Sequence, residues 1–242
     1  MTSVLVRNGR EGASASVKAL PHRWALSLWA RGYRRLARPW VVSRHVRRLC
    51  QPFDVTGLEH LDRLRGPALV IANHISHFDS LIVLSILPNH LYGRIAVAAA
   101  ADRFYTQRLK GAWYSLRYNA FPIARGGGRA ALEYSASLLQ NDWSLLIFPE
   151  GSRSRTGELL PFHPGPAILA LRQGVPVLPI RIDGASNILT PGTRQARPAS
   201  VSVQVGPPLT FDESDTVADA TARMESAVRA MAQPDRIPAL VH

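Results

Sequence analysis

Cysteine is almost absent from this chain of 242 residues, in which Cys50 stands alone. A single thiol excludes an internal disulfide framework and a cysteine-rich zinc site. Long apolar runs are missing too. No stretch reaches the roughly 18 consecutive apolar residues of an ordinary transmembrane helix, so none is expected. The first 20 residues hold no compact apolar run followed by small residues, so no secretory signal peptide is expected either. Lysine supplies only 2 of the 29 basic residues, an arginine bias that suggests a GC-rich bacterial genome.

Acids are scarce where bases are dense. Residues 1–50 carry 11 arginines and lysines against one acid, Glu11, for a net charge of +10, while residues 51–242 carry 18 against 16, for +2. The surplus therefore belongs to an N-terminal segment and not to the body. Such a segment suits nucleic acid, an anionic membrane or an acidic protein. Nucleic acid is the weakest of these, because the basic stretch has no zinc-finger or RNA-recognition signature and the body is nearly neutral. What is present is globular: 46% hydrophobic and 19% charged residues, ample for a packed core in one sizeable domain with an appendage.

Residues 1–18 are small, polar and aperiodic and read as a flexible tail. Residues 19–50 read as a basic, amphipathic helical segment. At 100° per residue, Leu26, Trp29, Tyr33, Leu36 and Trp40 share an arc of about 80°, with Arg31, Arg34, Arg35 and Arg38 on the flank. Pro39 is expected to kink or stop this helix, and Val41 to Cys50 to start a second short one. A core-docked helix with solvated arginines would explain the pattern. The favoured reading is a helix in the bilayer interface, with Trp and Tyr at headgroup level and the arginines on lipid phosphates.

From Leu58 onward, short apolar runs alternate with helical patterns. Strands are expected at Ala68–Ala72, Arg94–Ala100, Ala120–Ala124, Ser144–Phe148, Val175–Ile182 and Val201–Val205. Helices are expected at Ser80–Leu87, Phe104–Tyr118, Arg129–Gln140, Pro166–Arg172 and Thr216–Ala232, with a surface loop at Thr190–Ala199. That alternation predicts an α/β domain with a largely parallel sheet, its reactive groups in loops beyond the carboxyl ends of strands.

Four constellations could carry chemistry. Asn73-His74-Ile75-Ser76-His77-Phe78-Asp79 follows the first expected strand. Asp79 could cap the next helix, or hold one nitrogen of His74 and leave the other free as a base. Phe121 to Gly128 ends a strand with Arg125 and a glycine run that could cradle an anion. Gly126, Gly128 and Ala131 also fit a dinucleotide fingerprint with Glu150 as the ribose acid, but the match is short. Phe148-Pro149-Glu150-Gly151-Ser152-Arg153-Ser154-Arg155 offers a tight turn at Gly151, an acceptor at Glu150 and an anion fork at Arg153. Val175 to Ile180, with two prolines, reads as an irregular strand.

Together these blocks resemble the glycerolipid acyltransferase family, the lysophosphatidic acid acyltransferases and their relatives. Residues 73–79 fit its block N-H-x-[ST]-x-x-D, residues 148–153 fit F-P-E-G-[ST]-R, and Arg125 and the 175–180 run fit two weaker blocks. The resemblance covers about residues 50–210 and makes residues 51–242 the acyltransferase domain. One departure is Phe162-His163-Pro164-Gly165, where relatives often carry Phe-Lys-x-Gly; His163 stands in for a lysine near the acceptor phosphate.

The resemblance implies a mixed sheet flanked by helices, with an N-terminal helical pair against the membrane. It implies His74 as general base and Asp79 as its orienter. Arg125 and Arg153 would hold the acceptor's phosphate, with help from His163, and Glu150 its glycerol hydroxyls in the Glu150-Gly151-Ser152 turn. The acceptor would be a lysophospholipid and the co-substrate acyl-CoA or acyl carrier protein, with no metal or other cofactor. The setting would be the cytoplasmic face of the bacterial inner membrane, with an anionic lipid surface as partner. Three other readings stay open. Ser76 or Ser80 could be an esterase nucleophile, although no G-x-S-x-G elbow exists. His74, His77 and Asp79 could hold a metal with His163. Or the same phosphate site could serve a lipid-binding protein without catalysis.

Overall fold

The computed structural model describes residues 23–123, 128–189 and 195–231. The expected tail at 1–18, residues 19–22 of the basic segment, and Arg125, Gly126 and Gly127 of the glycine run lie outside the described residues.

After a short 3-10 turn at Arg23–Leu26, the chain forms α1 (Leu28–Arg38), a single wide π-helical turn over Pro39–Ser43, and α2 (Arg44–Leu49). Pro39 does not stop the helix. It opens the π turn, where a missing N–H costs least, and the helical path continues through it. Next come β1 (Cys50–Thr56), α3 (Glu59–Asp62), β2 (Leu69–Ala72), α4 (Asp79–Ile86), α5 (Asn89–Tyr92) and β3 (Ile95–Ala100). Then follow α6 (Ala101–Phe104), α7 (Arg108–Tyr118), β4 (Ala120–Ile123), α8 (Arg129–Gln140) and β5 (Ser144–Ile147). The last elements are α9 (Gly165–Gln173), β6 (Val177–Asp183), β7 (Ala199–Val205) and α10 (Val217–Ala230). The expected helix at Phe104–Tyr118 is thus two helices. Tyr105, between the two, packs its ring against Gly111, where an added Cβ would lie only 2.5 Å away.

The seven strands form one sheet in the order β1-β7-β6-β2-β5-β3-β4. All neighbours are parallel except β6 and β7, so the sheet is mixed and largely parallel, as expected. β2 sits centrally between β6 and β5. From β2 the chain moves out to β3 on one side, and from β5 it crosses back to β6 on the other. The carboxyl ends of β2 and β5 therefore border the crevice where the strand order reverses, the standard ligand position in such sheets. β2 and β5 are buried throughout, which is why they read as unbroken apolar runs. Their side chains alternate between two cores. Val70, Ala72 and Leu146 face the side of α2 and α4, while Leu69, Ile71 and Leu145 face α8, α9 and α10.

The N-terminal helix is inverted. Arg31, Arg34 and Arg38 point inward, Arg35 stays exposed, and the aromatic face points out. Arg31 Nε donates to the Gly93 carbonyl at 3.0 Å, and the buried Arg34 to Ala25 O at 2.8 Å. Arg38 donates to the carbonyls of Leu84, Ser85 and Leu87 at the carboxyl end of α4, and lies over the Tyr92 ring at 4.3 Å. A cation at a helix carboxyl end is well placed against the free carbonyls and the macrodipole. Leu28, Trp29, Leu36 and Trp40 remain 79, 59, 80 and 70% exposed. These arginines are therefore docking groups and not lipid-phosphate ligands, because backbone carbonyls already hold them. Exposed arginines on the basic segment are Arg23, Arg35 of α1, and Arg44, Arg47 and Arg48 of α2. Among the described residues no helix is long and apolar enough to cross a membrane.

Candidate active site

The site starts at the end of β2. Asn73 is buried, and its carboxamide bonds the Ile182 main chain in both directions, accepting from N at 2.7 Å and donating to O at 2.8 Å. This extends the β2–β6 pairing by one side chain and fixes the point where the strand turns. The next residue, His74, leaves the sheet with its main chain held on both sides. Its N–H donates to Glu150 Oε1 at 2.6 Å, and its carbonyl accepts from the Ser154 N–H at 2.8 Å.

The imidazole is held as well. His74 Nδ1 lies 2.7 Å from Asp79 Oδ2, the same oxygen that accepts the amides of Ile75 and Ser76 at 2.7 Å each. An oxygen receiving two N–H groups acts as an acceptor toward the ring as well, which assigns the proton to Nδ1 and leaves Nε2 with a free lone pair. Phe148 stacks on the ring at 4.5 Å and 27°. Asp79 is fully buried, and that burial raises its carboxyl above the ordinary value, against the pull of the hydrogen bonds from His74, Ser76 and Ile75. Asp79 does not cap its own helix by a side-chain bond, as a purely structural role would have it. It folds back over the preceding turn and fixes residues 74–76.

Glu150 corrects the expectation made for it. It is buried, and its second oxygen accepts the Leu160 amide at 2.9 Å. With each oxygen on a backbone amide, the carboxylate is a strut between two blocks of the sequence. It is neither a hydroxyl-binding group nor a ribose acid. Burial raises its pKa, while those amide bonds oppose the rise.

His74 opens on a cavity of about 750 Å3 at the carboxyl ends of β2, β5, β3 and β4. Its polar mouth is lined by His74, His77, Arg103, Ser152, Arg153 and His163, and its interior by apolar side chains such as Val97, Ile123, Leu132, Ile147 and Leu169. That volume suits a small ligand or chain with an apolar body and a polar end. Gly151 is required here. It takes the left-handed conformation, with φ of +66°, and an added Cβ would lie 2.9 Å from the His163 ring. His163, in the lysine's place, thus packs over the Glu150-Gly151-Ser152 turn at the mouth and is itself exposed. Arg125, expected beside Arg153, lies outside the described residues.

Sequence reasoning missed Asn73, Ser154 and the Leu160 amide as parts of the site. It also missed the pairing of His77 with Arg103, whose guanidinium lies 2.8 Å from His77 Nε2. Asn73, His77 and Ser154 left a signal, since each lies within one of the constellations, but their partners did not. Those partners act through the backbone or across strands that sequence spacing does not connect. Among the described residues no group of three or more His, Cys, Asp or Glu side chains could hold a metal ion. The donor chemistry agrees, because His77 Nε2 already faces a guanidinium and His74 Nδ1 a carboxylate. Ser76 is buried with its hydroxyl on the Phe78 amide, so it is not poised as an esterase nucleophile.

The strut role of Glu150 gives a direct expectation. Glu150→Ala strands two amides, each worth about 1–3 kcal/mol. Urea denaturation should show a clear loss of stability, and kcat should fall as His74 loosens. A rise confined to the acceptor KM, with stability intact, would return Glu150 to substrate binding.

Residues 52–183 match the family model described as Acyltransferase. The 1-acyl-sn-glycerol-3-phosphate acyltransferase of Limnanthes douglasii is 32% identical over 166 residues, which is 67% of this chain and 56% of that protein. The human 1-acyl-sn-glycerol-3-phosphate acyltransferase alpha is 28% identical over 173 residues, 69% of this chain and 59% of that protein. The chain thus spans a little over half the length of these curated relatives. In fold, it matches the crystal structure of the 1-acyl-sn-glycerophosphate acyltransferase of Thermotoga maritima with a TM-score of 0.62 at 22% identity, over 86% of this chain and 79% of that one. The family match runs from β1 to the end of β6 and encloses both His74 with Asp79 and the turn at Glu150, and on that match this chain is a member of the acyltransferase family.

Proposed function

We propose that the chain is an O-acyltransferase that moves a fatty acyl group from acyl-CoA or acyl carrier protein to the hydroxyl of a lysophospholipid. The leading acceptor is 1-acylglycerol 3-phosphate, and the product is phosphatidic acid. The observation that carries this reading is the free Nε2 of His74, oriented by Asp79 and facing a cavity with a cationic mouth and an apolar interior. The names of the curated relatives support the choice of acceptor.

In this mechanism the acceptor's phosphate sits against Arg153, with Arg125 and His163 contributing. Its acyl chain or the donor's fills the apolar interior. His74 Nε2 takes the proton from the acceptor hydroxyl as that oxygen attacks the thioester carbonyl. The new C–O bond forms, the C–S bond breaks, and the departing thiolate takes the proton back from the imidazolium. The buried Asp79 carboxylate stabilises that imidazolium in a site that screens poorly. General-base help contributes about 10²–10⁴ in rate, and the remainder comes from holding the hydroxyl against the thioester. The thioester is already activated, so neither a covalent acyl-enzyme nor a cofactor is called for.

The same reading places the enzyme on an anionic bilayer as a peripheral protein, on the cytoplasmic face where soluble acyl donors are found. Support comes from the outward face of α1 and from α7, which packs beside it and leaves Leu109 87% and Trp113 51% exposed. Burying a large apolar side chain gains about 1.5–3 kcal/mol, so several of them left in water favour a lipid partner. Exposed Arg44, Arg47 and Arg48 supply the attraction to anionic headgroups.

Two measurements follow. Thiol release from acyl-CoA should depend on lysophosphatidate and fall by about 10²–10⁴ in His74→Ala; equal release by the variant would remove His74 as the base. Cosedimentation with phosphatidylglycerol vesicles should weaken at least tenfold when Trp29, Leu36 and Trp40 are all changed to serine, with circular dichroism unchanged. Unaltered binding would displace α1 as the membrane contact.

A further inference from the structure

The first block carries a second histidine that the mechanism leaves unused. His77 lies three residues after His74, lines the same cavity and is half-buried. Its Nε2 stands 2.8 Å from a terminal nitrogen of Arg103. A guanidinium has donors and no acceptor, so His77 Nε2 receives this bond and the ring is neutral, with its proton on Nδ1. The electrostatics agree. Burial first, then the charges of Arg153 and Arg103 and the nearby His74, hold the His77 pKa down to about 4. Those same couplings place Arg103 and Arg153 around one imidazole, next to the base.

Arg103 reaches this point from α6, directly after β3, whereas Arg153 comes from the loop after β5. The intervening geometry is set by the sheet, in which β5 separates β2 from β3. Arg103 is exposed to the cavity mouth, and among the described residues no carboxylate pairs with it. One of its five N–H donors is taken by His77, and the others remain available to an anion.

We propose that Arg103, positioned by His77, is a second ligand for the phosphate monoester of the acceptor, acting beside Arg153 and helping the enzyme select that headgroup. This deepens the acyl-transfer reading above and rests on it. A phosphate monoester carries close to two negative charges at neutral pH, and two guanidinium groups from different strand ends match it in charge and by charge-assisted hydrogen bonds. The acceptor's phosphate fits the place better than the donor's. It lies one glycerol carbon from the reacting part of the molecule, so it must sit close to His74. The phosphates of coenzyme A lie a pantetheine arm away from the thioester. His77 itself touches no substrate. Its neutral ring keeps the guanidinium turned into the mouth without adding a third charge or competing for the acceptor's proton.

The test is steady-state kinetics of the full chain with acyl-CoA and lysophosphatidate, run beside calorimetry with sn-glycerol 3-phosphate. Arg103→Gln should raise the KM for lysophosphatidate tenfold or more, change kcat less than threefold, and leave the KM for acyl-CoA in place. It should weaken glycerol 3-phosphate binding by a similar factor. His77→Leu should reproduce the KM effect, while His77→Gln, whose carbonyl oxygen can still accept from Arg103, should recover most of the wild-type value. A merely structural role would not give that split between leucine and glutamine. An unchanged acceptor KM in Arg103→Gln overturns the proposal, as does a rise in the acyl-CoA KM instead. If the wild type transfers no acyl group at all, the reaction fails but the calorimetry still decides the phosphate site. Arg103 is exposed, so its variant should keep the fold, and a thermal melt confirms that before kinetics are compared.

Discussion

His74 is held by its backbone before its ring does anything. Its N–H is fixed by Glu150, its carbonyl by the Ser154 amide, and its imidazole by Asp79. These partners come from two loops that leave neighbouring parallel strands, β2 and β5. The first and third blocks of the sequence are therefore one unit in space. Glu150 and Asp79 act alike here: both are buried carboxylates whose oxygens receive backbone amides, and both are oriented inward to hold the loops. Catalytic groups at strand ends need this kind of support, because loops alone do not keep a base within hydrogen-bond reach of its target. The unusual feature is how little of the acidic chemistry at the site is left for substrate. The mouth is cationic and the carboxylates are spent on positioning.

The N-terminal helix shows the complementary arrangement. Arginine is the residue that can dock a helix through carbonyl groups while leaving its apolar face outside, because its stem is long and its fork carries several donors. Arg38 anchors α1 to the carboxyl end of α4, and the amino end of α4 carries Asp79. The surface proposed to meet lipid and the carboxylate that orients the base thus belong to directly connected pieces of structure. Lys110, Tyr114 and Tyr118 of α7 line the cavity, so the helix proposed to meet lipid also forms a wall of the site.

Much of this was legible in the residues, and the reasons differ by element. The buried strands β2 and β5 announced themselves as short apolar runs, and the spacing of His74 and Asp79 across a turn was enough to pair them. The edge strand β1 was missed. Pro52 and alternating polar residues in Cys50–Thr56 mark an edge position, where one neighbour suffices, and they leave no apolar run to read. Cys50, which opens that strand, is buried, and burial pushes its thiol up to about 11, in keeping with a structural residue. The amphipathic arc of α1 and its outward aromatic face were read correctly, but its arginines were placed on lipid phosphates, because periodicity shows that two faces differ and not what each one meets. Arg31 and Arg38 donate to main-chain carbonyls more than 45 residues away, which no local pattern reveals. Glu150 was assigned to substrate for a related reason: a carboxylate in a polar turn looks available until the amides that fill it are seen.

The central claim is that the Asp79 carboxylate, held against His74 Nδ1, makes Nε2 the base by stabilising the imidazolium that forms. Asp79→Asn tests it most directly. An asparagine with its oxygen in the Oδ2 place can still accept from Ile75, Ser76 and His74 Nδ1 and so keep the ring oriented, but it brings no negative charge to stabilise the imidazolium that forms when Nε2 takes a proton. Acceptor-dependent thiol release by Asp79→Asn should therefore fall by about 10²–10⁴ in kcat, with the acceptor KM and the melting profile close to those of the wild type. A variant that retains kcat within a few-fold would contradict the account and leave His74 without the role given to it here.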